Sequence, residues 1–305
     1  MNNVSLNVGP SARAFSCYGL SYHWRRPIVQ WIVVFTIIAQ LSGCSKIAYH
    51  FADWIIVKQL DSYLDLTQEQ KQFAEDRTHY HLARTEDDEF PLYINLFKDF
   101  KTGLTGGLNQ ETFDRINSHY HQRVEYTLQN LLPDIGQLLS TLSDTQIKHL
   151  EKKLLKDNDE TYDYLDYPAE KRKKTREKLF LDSVVNWYGN LTKEQKQQII
   201  SWHESIPDID HIWHDYAADQ IHKLAAKLSS THDPKVITDY LNNFWLNTES
   251  YFTPELAARY QQQLNDVKQI ILKIDGIITQ KQRQKAIDKF DGYIELLQEL
   301  AEKPS

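Results

Sequence analysis

The clearest structural signal in the chain lies at residues 253–274, which read TPELAARYQQQLNDVKQIILKI. Apolar side chains recur there every three or four residues, at Leu256, Tyr260, Leu264, Val267, Ile271 and Ile274. An α-helix places residues with this spacing on one face. Pro254 follows Thr253 and stands at the first helical position, where proline is favoured. The pattern predicts a long amphipathic helix with one face in a core.

Four further helix starts are predicted by one recurring pattern: an apolar residue, then Ser or Thr, then Gln three residues later. In such a capping box the hydroxyl accepts a hydrogen bond from a backbone N–H, and the glutamine reaches back to the cap. The boxes join Thr67 to Gln70, Ser143 to Gln146, Thr192 to Gln195 and Thr279 to Gln282. Their spacing along the chain is unequal, so the pattern does not indicate a solenoid repeat.

Helical periodicity continues between these starts, for example over residues 113–131 and 213–228. Breaks are predicted at residues 103–107, Pro133, Pro168, Gly189, Pro207 and Pro234. Only ten glycines and nine prolines occur in 305 residues, which disfavours a turn-rich β architecture. The sequence therefore predicts an all-α fold, a multi-helix bundle of about nine or ten helices.

The N-terminal residues predict a lipoprotein signal peptide. Arg25 and Arg26 precede an apolar run at residues 28–41, which suits a signal peptide and is short for a membrane-spanning helix. Residues 41–44, Leu-Ser-Gly-Cys, resemble a lipobox, with cleavage between Gly43 and Cys44 and lipidation of Cys44. We expect a signal peptide at residues 1–43 and an all-helical periplasmic domain at residues 44–305, held to the membrane by acyl chains. Ser45 favours the outer membrane, by resemblance to sorted lipoproteins.

Charge and cysteine content exclude several classes of protein. The formal charge is −7, and the first 43 residues contain three arginines and no acidic residue. Residues 44–305 therefore carry 32 basic and 42 acidic side chains, a net charge of −10, which argues against a nucleic-acid partner. Cys17 would leave with the signal peptide, so Cys44 would be the single cysteine left and no structural disulfide would form.

The segment after Cys44 contains no flexible linker. Residues 46–57 are dense in apolar side chains, so a helix there must pack into the domain or lie on the bilayer surface. Asp53 and Trp54 are its possible binding residues. A carboxylate on so apolar a helix needs a partner, such as an arginine, or exposure to water. We expect Asp53 to anchor this helix to the body.

A basic run is the second possible binding site. Lys171, Arg172, Lys173 and Lys174 begin a predicted helix in an otherwise acidic protein. Such a run suits lipid headgroups or an anionic glycan, although most charge runs are solvated helix faces.

Other candidate chemistry is weaker. His211 and His214 share a helix face but lack a third metal ligand. Asp157, Asp159 and Asp163 fail the spacing of a calcium loop and indicate an acidic interhelical loop instead. Glu204 before Ser205 resembles the catalytic pair of lytic transglycosylases without their other motifs. We predict no metal, no cofactor and no catalytic residue.

The chain resembles an uncharacterised family of all-helical Gram-negative lipoproteins, a domain of unknown function. The matching residues follow the lipobox in order: Tyr49, Ala52-Asp53-Trp54, Asp61, Tyr63, the segment Asp65 to Gln70, Pro91-Leu92-Tyr93, the segment Leu191 to Gln195, and Trp202 to Pro207. This resemblance implies an exported, all-helical lipoprotein and transfers no activity.

Three functions follow as hypotheses. The leading one is a non-enzymatic binding or structural protein that meets an envelope protein or glycan near the membrane. The first alternative is a periplasmic chaperone or envelope-stress protein, because Leu66-Thr67-x-x-Gln70 and Leu191-Thr192-x-x-Gln195 resemble the Leu-Thr-x-x-Gln motif of small helical stress chaperones. The second alternative is a peptidoglycan-acting enzyme, for which the sequence offers neither a nucleophile elbow nor a zinc motif.

Overall fold

A computed structural model describes residues 52–301 of the chain. The predicted signal peptide and the residues Gly43 and Cys44 lie outside this range. Within it the fold is all-α, and no β-strand occurs among these residues. Eleven α-helices follow one another, which we number α1 Ala52–Leu64, α2 Gln68–Arg84, α3 Phe90–Gly106, α4 Gln110–Ser140, α5 Asp144–Thr161, α6 Ala169–Tyr188, α7 Lys193–His203, α8 Asp210–Ser230, α9 Pro234–Leu246, α10 Pro254–Ile277 and α11 Gln280–Ala301.

The bundle prediction is confirmed, with one helix more than the upper estimate. No helix within residues 52–301 combines the length and the apolar character needed to cross a membrane. Short turns complete the architecture, a π-helical turn at Thr85–Glu89 and 3-10 turns at Asp163–Asp166 and Thr248–Tyr251.

The core consists of three main clusters of apolar side chains. The first joins α1, α2, α4, α5, α8 and α9 around fully buried residues such as Leu132, Ile237 and Leu241. The second joins α6, α7 and α10 around Ile199 and Ile270. The third packs α3 against α11, where the Phe100 and Phe290 rings stack at 5.0 Å. Helices that share a cluster are often far apart in sequence, so the chain passes repeatedly between the clusters.

The predicted capping boxes form, and they pair with one another. Both hydrogen bonds of the box are present at Thr67, Ser143 and Thr192, and the same two contacts join Thr279 to Gln282. The buried glutamine of each box also bonds the glutamine of a second box. Gln146 Nε2 donates to Gln70 Oε1 at 2.7 Å, and Gln195 and Gln282 exchange two bonds of 2.9 Å. The α1–α2 turn is thereby joined to the α4–α5 turn, and the α6–α7 turn to the α10–α11 turn.

Two sequence predictions about loops are wrong. Pro133 does not break the chain, because it lies inside α4, a helix of 31 residues. Asp157 and Asp159 do not lie in a loop, because α5 continues to Thr161. Asp157 accepts a hydrogen bond from Lys153 one turn earlier at 3.1 Å and another from the Tyr63 hydroxyl, so the acidic side chains are used within and between helices.

Candidate functional site

Helices α1 and α2 form an antiparallel hairpin with a connection of three residues. Asp65 takes a left-handed conformation there, with a φ angle of 48°. The Asp61 carboxylate stabilises the turn by accepting a hydrogen bond of 2.9 Å from the Leu66 backbone N–H. The Thr67 capping box then starts α2 at once. The short turn fixes how residues of the two helices face each other.

The open end of the hairpin is closed by one side-chain contact. His79 Nε2 lies 2.7 Å from the Asp53 carboxylate. Partial burial acts to raise the pKa of Asp53, but hydrogen bonds from the Trp54 backbone N–H and from His79 outweigh it and lower that pKa. Asp53 therefore joins the first helix to the next one, and its partner is a histidine and not an arginine.

Two exposed aromatic residues flank this contact. Trp54 is 59% exposed and Tyr80 is 47% exposed, and of the large hydrophobic residues between positions 52 and 301 only Val236 is comparable. Each follows a member of the Asp53–His79 pair. One step along an α-helix turns the side chain by about 100°. Asp53 and His79 face each other across the hairpin, and the two helices run in opposite directions. Viewed along one axis, the rotation from Asp53 to Trp54 and the rotation from His79 to Tyr80 therefore have opposite senses. Both rings thus project to the same side of the hairpin.

A cation lies over each exposed ring. Lys58 Nζ is 4.6 Å from the centre of the Trp54 ring, and the Arg77 guanidinium is 4.2 Å from the centre of the Tyr80 ring. Both separations fall within the range of cation–π attraction. Arg77 is held from behind by Asp134 of α4 at 2.8 Å. We call Trp54, Lys58, Arg77 and Tyr80 the hairpin face.

The other side of the hairpin is buried. Val57 and Leu64 of α1 and Ala74 of α2 belong to the first core cluster. His81, next to Tyr80, lies 2.6 Å from Asp134 and joins α2 to α4. The hairpin is therefore held by the body, while the Trp54 and Tyr80 rings and the Lys58 ammonium are exposed and Arg77 bridges the Tyr80 ring and Asp134.

The basic run at the start of α6 is largely used inside the chain. Arg172 donates to Asp208 at 3.0 Å, and Lys173 lies 2.7 Å from Glu204. Hydrogen bonding to Glu204 raises the pKa of the Lys173 ammonium. Lys171 Nζ lies 3.4 Å from the centre of the Tyr167 ring. Arg172 and Lys173 of the run form ion pairs with other residues in the range 52–301, whereas Lys171 and Lys174 do not. The run lies on α6, whose main packing partners are α7, α11 and a 3-10 turn, so it is not part of the hairpin face.

The residues considered for chemistry are likewise used in structural contacts. His214 bonds Asp159 at 2.9 Å and Asp215 at 3.2 Å, which joins α8 to α5. In the described range, no three side chains of the His, Cys, Asp or Glu type are grouped so as to hold a metal ion. Glu204, the transglycosylase-like residue, is the ion-pair partner of Lys173.

The Leu-Thr-x-x-Gln motifs also have a structural role. Gln70 and Gln195 are buried, and their amides bond backbone carbonyls of other helix turns as well as their partner glutamines. These side chains are therefore not exposed where a chaperone would bind an unfolded protein. The motifs therefore give no separate support to a chaperone.

A family model of a family of unknown function, DUF6279, matches residues 62–257, well over half of the chain. The chain belongs to this family. The match begins inside α1, so the DUF6279 region includes Tyr80 and Arg77 but not Trp54. No curated protein matches the chain, and no solved structure matches it. The predicted kinship with an all-helical family of unknown function is thus confirmed, and the family carries no activity to transfer.

The sequence predicted one of the four residues of the hairpin face, Trp54, and the neighbouring Asp53. It singled out Asp53 and Trp54 from their place on an apolar helix, and both lie at the site. It missed Lys58, Arg77 and Tyr80, which the hairpin brings to the same end. One signal was available: Lys58 stands four residues after Trp54, and Arg77 three before Tyr80, the spacings at which helical side chains meet.

Proposed function

We propose that this DUF6279 protein is a lipid-anchored envelope protein without enzymatic activity, whose helical body binds a partner beside the membrane. Cys44 carries the lipid, residues 1–43 are removed, and residues 44–305 face the periplasm from the outer membrane. The observation that carries the proposal is the lipobox-like Leu-Ser-Gly-Cys at residues 41–44 behind a basic and apolar leader.

The short stretch of sequence between Cys44 and α1 supports this proposal. Only seven residues separate Cys44 from Ala52, the first described residue of α1. Even a fully extended chain of that length spans only about 30 Å. A protein tethered so closely works near the bilayer, and its partner is an envelope protein or glycan within that reach.

The two cysteines of the chain provide a matched test. The wild-type protein, expressed in a Gram-negative bacterium with labelled palmitate, should incorporate the label and lose residues 1–43. Cys44→Ser should abolish both, whereas Cys17→Ser should change neither, because Cys17 leaves with the leader. Mass spectrometry of the N-terminal peptide checks the result. An unmodified Cys44 on a chain that retains its leader would reject the proposal.

A further inference from the structure

We propose that the hairpin face, Trp54, Lys58, Arg77 and Tyr80, docks on the surface of a bilayer that contains anionic phospholipid. The two aromatic rings enter the headgroup region, and the two cations lie among the lipid phosphates. This inference rests on the proposed lipid anchor and adds which side of the protein meets the membrane.

One of the two exposed rings lies close in sequence to the proposed anchor. Trp54 is ten residues from Cys44, so its Cα lies within about 36 Å of the lipid-bearing residue in any conformation. Tyr80 is held at the same end of the hairpin by the Asp53–His79 contact. The turn at Asp65 lies about 18 Å further along α1, at the rise of an α-helix. Along the chain, the end of the hairpin that carries the exposed rings is therefore the end nearest to the anchor.

The side chains of the hairpin face match the chemistry of a membrane surface. Trp and Tyr each combine an apolar ring with a polar group, which suits the boundary between acyl chains and water. Lysine and arginine beside such rings place their charges at the headgroups while their stems cover apolar surface. Exposed hydrophobic residues on soluble proteins usually occur singly. Here two aromatic rings share one side of a hairpin, and each has a cation over it.

The cations of the hairpin face contrast with the acidic character of the rest of the chain. Residues 44–305 carry a net charge of −10, so an anionic membrane repels the protein body as a whole. The hairpin face presents the Lys58 ammonium together with the Arg77 guanidinium, whose charge is partly balanced by Asp134. A bilayer therefore favours one orientation of the tethered body, with this face toward the lipid and the acidic remainder away from it.

Site-specific fluorescence on the processed lipoprotein tests the orientation. Lipidation consumes the thiol of Cys44, so a cysteine introduced into the mature chain is its single labelling site. Trp54→Cys and Tyr80→Cys carry an environment-sensitive dye in vesicles of phosphatidylethanolamine and phosphatidylglycerol. Val236→Cys is the matched control, because Val236 is also an exposed hydrophobic residue but lies toward the opposite end of the hairpin. It is on α9 next to the C-terminal end of α4, and that end of α4 contacts the α1–α2 turn.

We expect blue-shifted emission, and quenching by a lipid-borne quencher, at positions 54 and 80 but not at position 236. Lys58→Glu should reduce the shift at position 80, and Lys235→Glu, at an exposed lysine of α9, should not. Far-UV circular dichroism of each variant verifies that the helices are intact.

Three outcomes would overturn the inference in different ways. If the labels at positions 54 and 80 of the lipidated protein on vesicles behave like the label at position 236, the docking face is rejected and the proposed anchor is unaffected. If the labels at positions 54 and 80 are protected from water in native envelopes but exposed to water on pure lipid vesicles, the partner of this face is a protein and not the bilayer. A free thiol at Cys44 in unlabelled protein rejects the proposed anchor itself.

Discussion

His203 is a buried histidine at the end of α7, stacked on the Phe180 ring at 4.8 Å. Burial, with a smaller contribution from the charge of Arg176, lowers its pKa from 6.5 to about 4. Between about pH 4 and pH 6.5 this imidazole is therefore neutral in the folded protein, whereas it binds a proton in the unfolded chain. Burying it creates a dependence of stability on pH.

The sign follows from proton uptake. Between pH 6.5 and pH 4 the unfolded chain gains a proton at His203 that the folded chain does not, so the free energy of unfolding falls as the pH falls. A shift of this size corresponds to at most about 3 kcal/mol. His203→Gln should remove that contribution and flatten the stability curve in this window. Urea unfolding at a series of pH values, compared with the wild type, measures the difference.

His214 provides the opposite case. Partial burial acts to lower its pKa, but hydrogen bonds to Asp159 and Asp215 outweigh burial and raise it. Its contribution is present at low pH and is lost as the pH rises through the raised value. His214→Gln should therefore destabilise the protein more at pH 5 than at pH 8. If the free energy of unfolding changed with pH equally in the two variants and in the wild type, neither histidine would control acid stability.

The helix α4 shows what one glycine does for a pair of helices. A Cβ atom at Gly136 would lie 2.1 Å from Thr238 Oγ1 and 3.0 Å from the Pro234 carbonyl oxygen of α9. The glycine lets the two helices approach closely in the first core cluster. Pro133, three residues earlier, is accommodated within the same helix.

Gly136→Ala should destabilise the protein by about 1–3 kcal/mol, because overpacking forces α9 away from α4. Gly292→Ala in α11 is the matched control, since a Cβ there meets nothing within 4 Å. That control should stabilise the protein by up to about 1 kcal/mol, through helix propensity alone. Thermal unfolding by circular dichroism distinguishes the two. Similar melting temperatures for both variants would contradict the close-approach argument.

The paired helix turns depend on buried amides. Gln195 and Gln282 exchange two hydrogen bonds, and each also donates to a carbonyl of the opposite turn, Ile277 and Asn190 respectively at 2.8 Å. Replacing one glutamine leaves buried polar groups without partners. Such groups cost about 1–3 kcal/mol each.

A double-mutant cycle measures this coupling. Gln195→Met and Gln282→Met should each destabilise the protein by about 2–3 kcal/mol. The double variant should cost at least about 1 kcal/mol less than the sum, because the second substitution removes a partner already lost. Gln197→Met, on the exposed side of α7, should stay within about 0.5 kcal/mol of wild type. Strictly additive costs would show that the two turns are independent.

The sequence predicted each helix start at these turns, because a capping box is local: hydroxyl, amide and backbone lie within four residues. It did not predict which boxes pair, because Gln195 and Gln282 are 87 residues apart and their contact depends on tertiary packing. The hairpin face follows the same rule. Trp54 stood out on its own helix, but Tyr80 joins it only through the register set by the turn at Asp65.

At the scale of the whole molecule, the family match and the folded body have different limits. The match ends at residue 257, near the start of α10, whereas the core continues to the end of α11. Residues 258–301 supply four of the nine buried residues of the second cluster and five of the eight of the third. Arg283 of α11 also bonds Asp275 and the Leu104 carbonyl, which ties α3 to the C-terminal helices.

A chain truncated after residue 257 should therefore fail to fold cooperatively. Each large apolar side chain contributes roughly 1.5–3 kcal/mol when buried. Eight are lost with residues 258–301, which equals or exceeds the total stability of about 5–15 kcal/mol typical of a protein. Limited proteolysis should degrade α6 and α7 in the truncated chain, and co-expression of residues 258–305 should restore their protection. A sharp melting transition in the truncated chain would mean that the first cluster folds alone, and that α10 and α11 form a separate unit.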